Sequence, residues 1–126
     1  QERLLEVGGN VHYERIKNEI FDHLNDDTIT FQNFNCKINE LEDAITIPST
    51  NIIIIEGAYA FHKELRDYYD FKILLKVDEE TQINRISKRN GEEMLQRFIH
   101  EWIPLEDKYF KFEKLEEIAD IILERK

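Results

Sequence analysis

Residues Asn51–Gly57, with the sequence NIIIIEG, decide the fold class that the sequence predicts. Four consecutive isoleucines give no alternation of apolar and polar side chains, so both faces of a strand here would be apolar. Strands that are covered on both faces are typical of parallel sheets in α/β proteins. We therefore expect this stretch to be a buried parallel strand that ends in Glu56 and Gly57 at a ligand cleft.

Two other apolar runs would complete such a sheet. Phe71–Val77 (FKILLKV) is the expected parallel neighbour, and Ala119–Leu123 (ADIIL) is a third strand near the end of the chain. Asp78 follows the first run as the N-cap of a helix that extends to about Arg89. Strands that alternate with helices indicate a parallel sheet flanked by helices, with ligands at the carboxyl ends of the strands.

The first half of the chain adds a helix and a small hairpin. Val11–Asn25 has apolar residues at helical spacing, and Asn10 is the expected N-cap. Thr28–Phe34 and Ala44–Ile47 are short strands, because β-branched and aromatic residues dominate the first and Pro48 ends the second. Residues 28–48 are therefore expected to form a hairpin-like insertion beside the main sheet.

Composition limits the class of protein. A chain of 126 residues fits one domain, spanning 1–126, and its net charge of −10 argues against nucleic-acid binding. No apolar run approaches the roughly 20 residues that span a bilayer, and the start of the chain does not resemble a signal peptide. The single cysteine, Cys36, cannot form an internal disulfide, which fits a reducing cytoplasm. We expect a cytoplasmic protein with small-molecule ligands and no membrane or nucleic-acid partner.

Glu56 is the first candidate for chemistry. A carboxylate at the end of a parallel strand can hold Mg²⁺, usually through water, beside nucleotide phosphates. The same residue is equally consistent with a glutamate that leaves the core and meets solvent. A strand that ends in Glu-Gly does not by itself distinguish these two interpretations.

Arginines form the second candidate group. Arg85 and Arg89 are four residues apart and share a helix face, and Arg97 follows in the next helix. Guanidinium groups bind phosphates in a bidentate manner, so residues 79–97 could act as a lid over ATP. A solvated basic face that offsets nearby glutamates is the alternative, and it is favoured when the arginines are considered alone.

Other features give weaker signals or none. The four histidines and Cys36 lack metal-ligand spacing, and no serine or cysteine nucleophile has a base nearby in sequence. Phe31–Asn35 carries aromatic and amide groups that could grip a base or pack the hairpin. No stretch matches GxxxxGK followed by Ser or Thr, so the chain has no phosphate-binding loop of that type.

Three stretches together resemble the uridine kinase and phosphoribulokinase-like branch of the P-loop kinases. They cover nearly the whole chain in order: ERLLEVGGNVHYERI, IIIIEGAYAFHKELRDYYDFKILLKVDEETQINRISKRNG and EEMLQRFIHEWIPLEDKYF. In that family the first strand, the glycine-rich loop and a catalytic aspartate precede a segment of the GGN type. The resemblance therefore implies a partial P-loop kinase fold, the later two-thirds of a kinase that lacks the Walker A segment.

The resemblance also implies roles for individual residues. Glu56 matches the magnesium carboxylate of the family's EG motif, Arg85 and Arg89 match lid arginines that reach ATP, and Arg97 matches a polar position near the lid. Four residues fall in substrate-side stretches: Asn10, His12, Phe34 and Asn35. The family usually has aspartate where this chain has His12 and Asn35, which puts the nucleoside specificity in doubt because a ribose diol favours a charged acceptor.

The implied activity is transfer of the γ-phosphoryl of ATP to uridine or a similar small alcohol, with Mg²⁺ as cofactor. Because the phosphate loop is absent from this sequence, we expect the chain to be inactive alone and to associate with itself or with the missing N-terminal segment. A non-catalytic nucleotide-binding or regulatory relative is the main rival. A kinase for another acceptor, such as pantothenate or a sugar phosphate, is the alternative within the enzyme class.

Overall fold

The computed structural model describes residues 6–125, which form a mixed α/β arrangement of short helices and three two-stranded sheets. The α-helices of this described part are α1 (Tyr13–Glu19), α2 (Glu79–Asn90), α3 (Glu92–Arg97), α4 (Ile103–Phe112) and α5 (Leu115–Ile118). Its strands are β1 (Thr28–Phe31), β2 (Phe34–Asn35), β3 (Glu40–Leu41), β4 (Ile45–Pro48), β5 (Ile73–Val77) and β6 (Ile121–Arg125). Short 3₁₀ turns lie at Phe21–His23 and Arg66–Tyr68, and Phe98–Trp102 is π-helical.

The parallel sheet consists of β5 and β6, so both C-terminal apolar runs are confirmed as strands. Their register places Ile73 opposite Ile121. The backbone N–H of Lys72 donates to the Asp120 carboxylate at 2.7 Å and fixes the start of the pair. Leu74 on the inner face of β5 lies in the buried core, together with residues of α4 and α5.

The outer face of the parallel sheet has no cover among residues 6–125. Ile73, Leu75 and Val77 point away from Leu74 because successive side chains alternate along a strand, and Leu75 is 67% exposed. Apolar side chains of β6 are also exposed beside them. Parallel sheets are normally covered on both faces, so this sheet is only half enclosed by the described residues.

The prediction of a buried parallel strand at Asn51–Glu56 is wrong for this structure. The segment belongs to no sheet, and Ile52 and Ile54 are 79% and 84% exposed. A strand needs backbone partners, and no residue within 6–125 forms a ladder with this segment. Isoleucines of this segment and Phe71 line a cavity of about 930 Å³. The strand that follows Phe71, β5, pairs with β6 and not with this segment.

The predicted helix Val11–Asn25 is too long. Only Tyr13–Glu19 is α-helical, and His12 rather than Asn10 occupies the N-cap position, without a side-chain capping bond. The chain then tightens into a 3₁₀ turn that starts at Phe21, which is buried. Tertiary packing of this ring ends the helix, although the apolar spacing continues to Leu24.

The hairpin at 28–48 is antiparallel, with β1 paired to β4 and β2 paired to β3. Thr30 and Thr46 form a hydroxyl–hydroxyl bond of 2.8 Å across it. Gln32 connects the hairpin to α1 by two hydrogen bonds. Its carbonyl accepts from Arg15 at 2.8 Å, and its N–H donates to Glu19 at 3.0 Å.

The C-terminal helices begin with the predicted cap. Asp78 accepts from the backbone N–H of Thr81 at 2.8 Å and starts α2. Gly91, at φ 81° and ψ 169°, ends α2 and starts α3. Beyond this glycine a π-helical turn separates α3 from α4, directly before Pro104 in the first turn of α4. Within the described ranges, no helix is long and apolar enough to cross a membrane.

Candidate functional site

Glu56 lies in the exposed segment that precedes a turn at Gly57–Ala60. The turn is closed by a bond of 3.1 Å from the Ala60 N–H to the Gly57 carbonyl. Within residues 6–125 the Glu56 carboxylate forms no hydrogen bond or ion pair. It is therefore available to an external ligand, although it does not end a sheet strand as the sequence predicts.

Asn10 lies next to the loop that carries Glu56. Its side chain lies close enough to Tyr59, three residues beyond Glu56, to affect the pKa of the Tyr59 hydroxyl. Burial raises this pKa, and the Asn10 side chain lowers it in part. Two candidate segments that are distant in sequence, the Gly-Gly-Asn turn and the loop after Ile55, therefore meet in the structure.

His12 is exposed, and its Nδ1 lies 3.3 Å from a Glu14 carboxylate oxygen. It stands at the start of α1, two residues from Asn10. A contact between Asn10 and a ligand would therefore bring that ligand near His12.

Phe34 and Asn35 lie in β2 of the hairpin. Phe34 is half-exposed, and it faces Leu41 across the strand pair. The Asn35 amide nitrogen donates to Glu42 at 3.0 Å, while its oxygen accepts from the Lys37 N–H at 3.0 Å. Both ends of this amide are used inside the hairpin, so packing of the hairpin accounts for Asn35 without a ligand.

The three candidate arginines lie in one helix–bend–helix unit. Arg85 and Arg89 are exposed on α2, one turn apart, and Arg97 ends α3. The Arg89 Nε donates to the Asn90 side chain at 2.7 Å, and Arg97 pairs with Glu101 at 3.2 Å. These contacts are local and lie within or beside the two helices.

The structure does not join the arginines to Glu56. Among residues 6–125, no hydrogen bond or ion pair connects that carboxylate to any of the three. No group of three or more His, Cys, Asp or Glu side chains in the same residues could hold a metal ion. Glu56 could contribute one carboxylate to a hydrated Mg²⁺ whose other ligands come from phosphates, which is how Mg²⁺ is often bound.

A buried histidine is the main residue that the sequence did not reveal. His62 is 1% exposed, whereas its sequence surroundings gave only the absence of metal-ligand spacing. Its ring stacks on Tyr13 at 4.2 Å, and its Nδ1 accepts from the Glu64 N–H at 3.2 Å. Burial lowers the pKa of this imidazole, so the neutral form is favoured.

Gly8 makes the close approach to His62 possible. A Cβ at this position would lie 2.7 Å from the His62 Cδ2 and 3.1 Å from its Nε2. The positive φ of Gly8, +76°, is a second reason that glycine is required here. The run of aromatic residues after Gly57 is the sequence signal that could have indicated a packed ring cluster.

Tyr109 is the centre of the core beside this cluster. It is fully buried, and its ring lies 4.8 Å from that of Tyr59. Nearby, the Arg66 guanidinium group donates a hydrogen bond of 2.7 Å to the Glu113 carboxylate. Burial raises the pKa of Tyr109, and this hydroxyl has no hydrogen-bond partner within residues 6–125.

Comparison with known proteins adds no relative: no family model matches the chain, and no curated protein matches it.

Proposed function

We propose that the chain carries the magnesium carboxylate and the lid of an ATP-dependent kinase that phosphorylates a small alcohol of the uridine type. The observation that supports this proposal is the helix–bend–helix unit with Arg85, Arg89 and Arg97. All three guanidinium groups are exposed, and two of them lie one turn apart on α2. Clustered arginines suit a polyphosphate better than a single ion, because each can donate two hydrogen bonds to phosphate oxygens.

Glu56 and Asn10 have separate roles in this proposal. Glu56 holds the hydrated Mg²⁺ that accompanies ATP, and Asn10 orients the acceptor alcohol. The position of Asn10 near Tyr59 supports this pairing of roles, because Tyr59 is three residues from Glu56. The bound metal neutralises charge on the transferring phosphoryl group.

Catalysis requires a phosphate-binding loop that these 126 residues do not contain. We propose that a segment with a glycine-rich loop and a preceding strand complements the chain. The exposed Ile52 and Ile54, the open outer edge of β5 and the cavity of about 930 Å³ beside Phe71 support this proposal. An inserted strand would bond both flanking backbones and bury their apolar side chains.

A second candidate is a nucleotide-binding relative without transfer chemistry. The bonds of Asn35 favour it, because an amide that is used within the hairpin cannot replace a carboxylate that binds a ribose diol. A kinase for pantothenate or a sugar phosphate is the alternative acceptor class, and the exposed His12 is compatible with an anionic acceptor.

Binding of Mg·ATP by isothermal titration at low salt tests the first step of the proposal. The double variant Arg85→Gln/Arg89→Gln should weaken binding about tenfold or more, because each charge-assisted bond contributes about 1.5–3 kcal/mol. Lys88→Gln is the matched control, since it removes a positive charge from the same helical turn. Because Lys88→Gln removes one charge and the double variant removes two, a free-energy loss in Lys88→Gln of half that in the double variant would show that only net charge matters and would sink the lid assignment.

Acceptor identity is tested by radioactive phosphoryl transfer with uridine, pantothenate and ribulose 5-phosphate as parallel substrates. The chain alone should transfer nothing to any of them. Transfer to uridine by the chain together with a complementing loop segment is the expected result. Binding of Mg·ATP without transfer to any acceptor, in a mixture proven to form a complex, would favour the non-catalytic relative.

A further inference from the structure

A second cavity, of about 590 Å³, lies at the carboxyl end of β5. Its lining includes residues of β5, α2, α4 and α5, among them Val77, Gln82, Glu106, Phe110 and Leu115. Its volume is within the roughly 300–1,000 Å³ of pockets that hold small molecules. Because α/β proteins usually bind ligands at the carboxyl ends of parallel strands, this cavity is a candidate ligand site.

Glu106 contributes a partly buried carboxylate to this cavity. Within residues 6–125 it has no hydrogen-bond or ion-pair partner, and Lys76 of the same cavity pairs with Glu116 instead. Burial raises the pKa of the Glu106 carboxyl, and the neighbouring Asp107 acts in the same direction. A carboxylate accepts hydrogen bonds and donates none, so a ligand that brings donors would satisfy this group.

Glu106 also lies near the residues assigned to the acceptor. The Tyr59 ring packs on the Tyr109 ring at 4.8 Å, and Glu106 precedes Tyr109 by one turn on the same face of α4. The pKa of the Tyr59 hydroxyl is raised by burial first and also by the charge of Glu106, while Asn10 lowers it. Three separate parts of the chain therefore bring Asn10, Tyr59 and Glu106 close together.

Gln82 connects this cavity with the arginines of the proposed lid. Spacings of three and four residues place Gln82, Arg85 and Arg89 on one face of α2. Gln82 lines the cavity, and the two arginines follow one and two turns further along the helix. A ligand in the cavity would therefore lie at the start of the face that carries the arginines.

We propose that Glu106 is a specificity-determining residue, which accepts hydrogen bonds from two neighbouring hydroxyl groups of an acceptor alcohol bound in this cavity. The inference rests on the proposed function, because it adds a residue to the acceptor site of that kinase. Each oxygen of an ionised carboxylate can accept from one hydroxyl, and such charge-assisted bonds are stronger than neutral ones. Neither His12 nor Asn35 carries a negative charge, so Glu106 provides a charged acceptor near Asn10.

An NMR titration of the isotope-labelled 126-residue chain tests this role, because it detects weak binding and also locates it. The probes are uridine and 2′,3′-dideoxyuridine, which keeps the base and the 5′-hydroxyl but lacks the neighbouring pair of hydroxyls. The wild type should bind uridine about tenfold or more tightly than the dideoxy compound, the usual size for a hydrogen bond to a charged group. The backbone signals of Gln82, Phe110 and Leu115 should shift on binding.

Glu106→Gln keeps the size of the side chain and removes its charge. It should reduce the preference for uridine to about twofold or less, because a neutral amide oxygen is a weaker acceptor, and leave the affinity for dideoxyuridine unchanged. A purely structural role would weaken the binding of both probes equally. Asp107→Asn is the matched control, since it removes the adjacent carboxylate of the same cavity and should keep the preference.

The outcomes separate this role from the function on which it rests. An unchanged preference in Glu106→Gln, or an equal loss of preference in Asp107→Asn, would overturn the assignment of Glu106. Equal affinity of the wild type for both probes, no binding of uridine, or signal shifts confined to residues outside the cavity would overturn it as well. Failure of the proposed function would appear independently, as a chain that does not bind Mg·ATP.

Discussion

Gly8 is a position at which the structure leaves no room for a larger side chain. Alanine at this position would place a Cβ 2.7 Å from the buried ring of His62 and would hold a positive φ of +76°. We expect Gly8→Ala to lower the free energy of unfolding by about 1–3 kcal/mol, because strain and overpacking add. Urea denaturation followed by circular dichroism measures the change.

Gly57 provides the control for that substitution. A Cβ at Gly57 meets no atom within 4 Å, and its φ lies outside the positive range. Gly57→Ala should therefore change the free energy of unfolding by no more than about 0.5 kcal/mol. Equal destabilisation by the two alanines would contradict the packing of Gly8 on His62.

His62 makes stability depend on pH. Burial holds its folded-state pKa below the ordinary 6.5, so the unfolded chain binds the proton more readily. The neighbouring Lys63 acts in the same direction, while Glu6, Glu64 and Glu113 act against it. The free energy of unfolding should fall as pH decreases from about 6.5 towards the folded pKa, as urea melts between pH 7 and 5 would show.

The variant His62→Phe isolates this contribution. Burial raises the pKa of Glu106, which favours the folded state as pH falls and so opposes the histidine. The difference between wild type and His62→Phe cancels the Glu106 contribution. That difference should shrink on acidification below pH 6.5. A constant difference would mean that His62 does not titrate there.

Gly91 controls the position of helix α3 relative to helix α2. Its φ of 81° and ψ of 169° lie in a region that residues with a Cβ rarely adopt. Gly91→Ala should cost about 1–3 kcal/mol of stability and move Phe98 away from Arg89. We expect a shift in Trp102 emission together with the lower denaturation midpoint. Loss of stability without any emission change would contradict the link between Gly91 and the contact of the Phe98 and Trp102 rings.

Local signals predicted the helices best. The Asp78 cap and the start of α2 follow from residues within one turn, and the cap bond to Thr81 confirms them. The end of α1 was mispredicted because it depends on Phe21, whose burial requires residues far away in sequence. The contact of Arg89 with the Phe98 ring was not predictable either, since it depends on how the chain packs after the break at Gly91.

At the scale of the whole molecule, NIIIIEG shows what a sequence pattern cannot decide. The pattern predicts a strand with two apolar faces, and the similar apolar runs of β5 and β6 do form a sheet. A β-strand, however, forms only when its backbone hydrogen-bonds to a second strand, and no residue among 6–125 pairs with Asn51–Glu56. Whether this segment becomes a buried strand is therefore decided by a backbone pairing that its own sequence does not specify.

Exposed apolar residues predict association of the purified chain. Ile54 and Leu75 are 84% and 67% exposed, and large apolar patches drive contact between copies. Ile54→Lys and Leu75→Lys should each shift sedimentation towards the monomer, whereas Lys88→Gln should not. If the wild type is monomeric at about 100 μM, near the limit of weak association, these residues do not form a self-association surface.

Phosphoryl transfer from ATP to uridine tests the kinase proposal most directly, with the chain alone and with the amino-terminal strand–loop–helix of an active uridine kinase supplied in trans. We expect no turnover by either component alone and measurable turnover by the mixture, lost in Glu56→Gln. Turnover by the 126-residue chain alone at about 1–100 s⁻¹, the usual range for kinases, would contradict the proposal. No turnover in a mixture that forms a stable complex would contradict it as well.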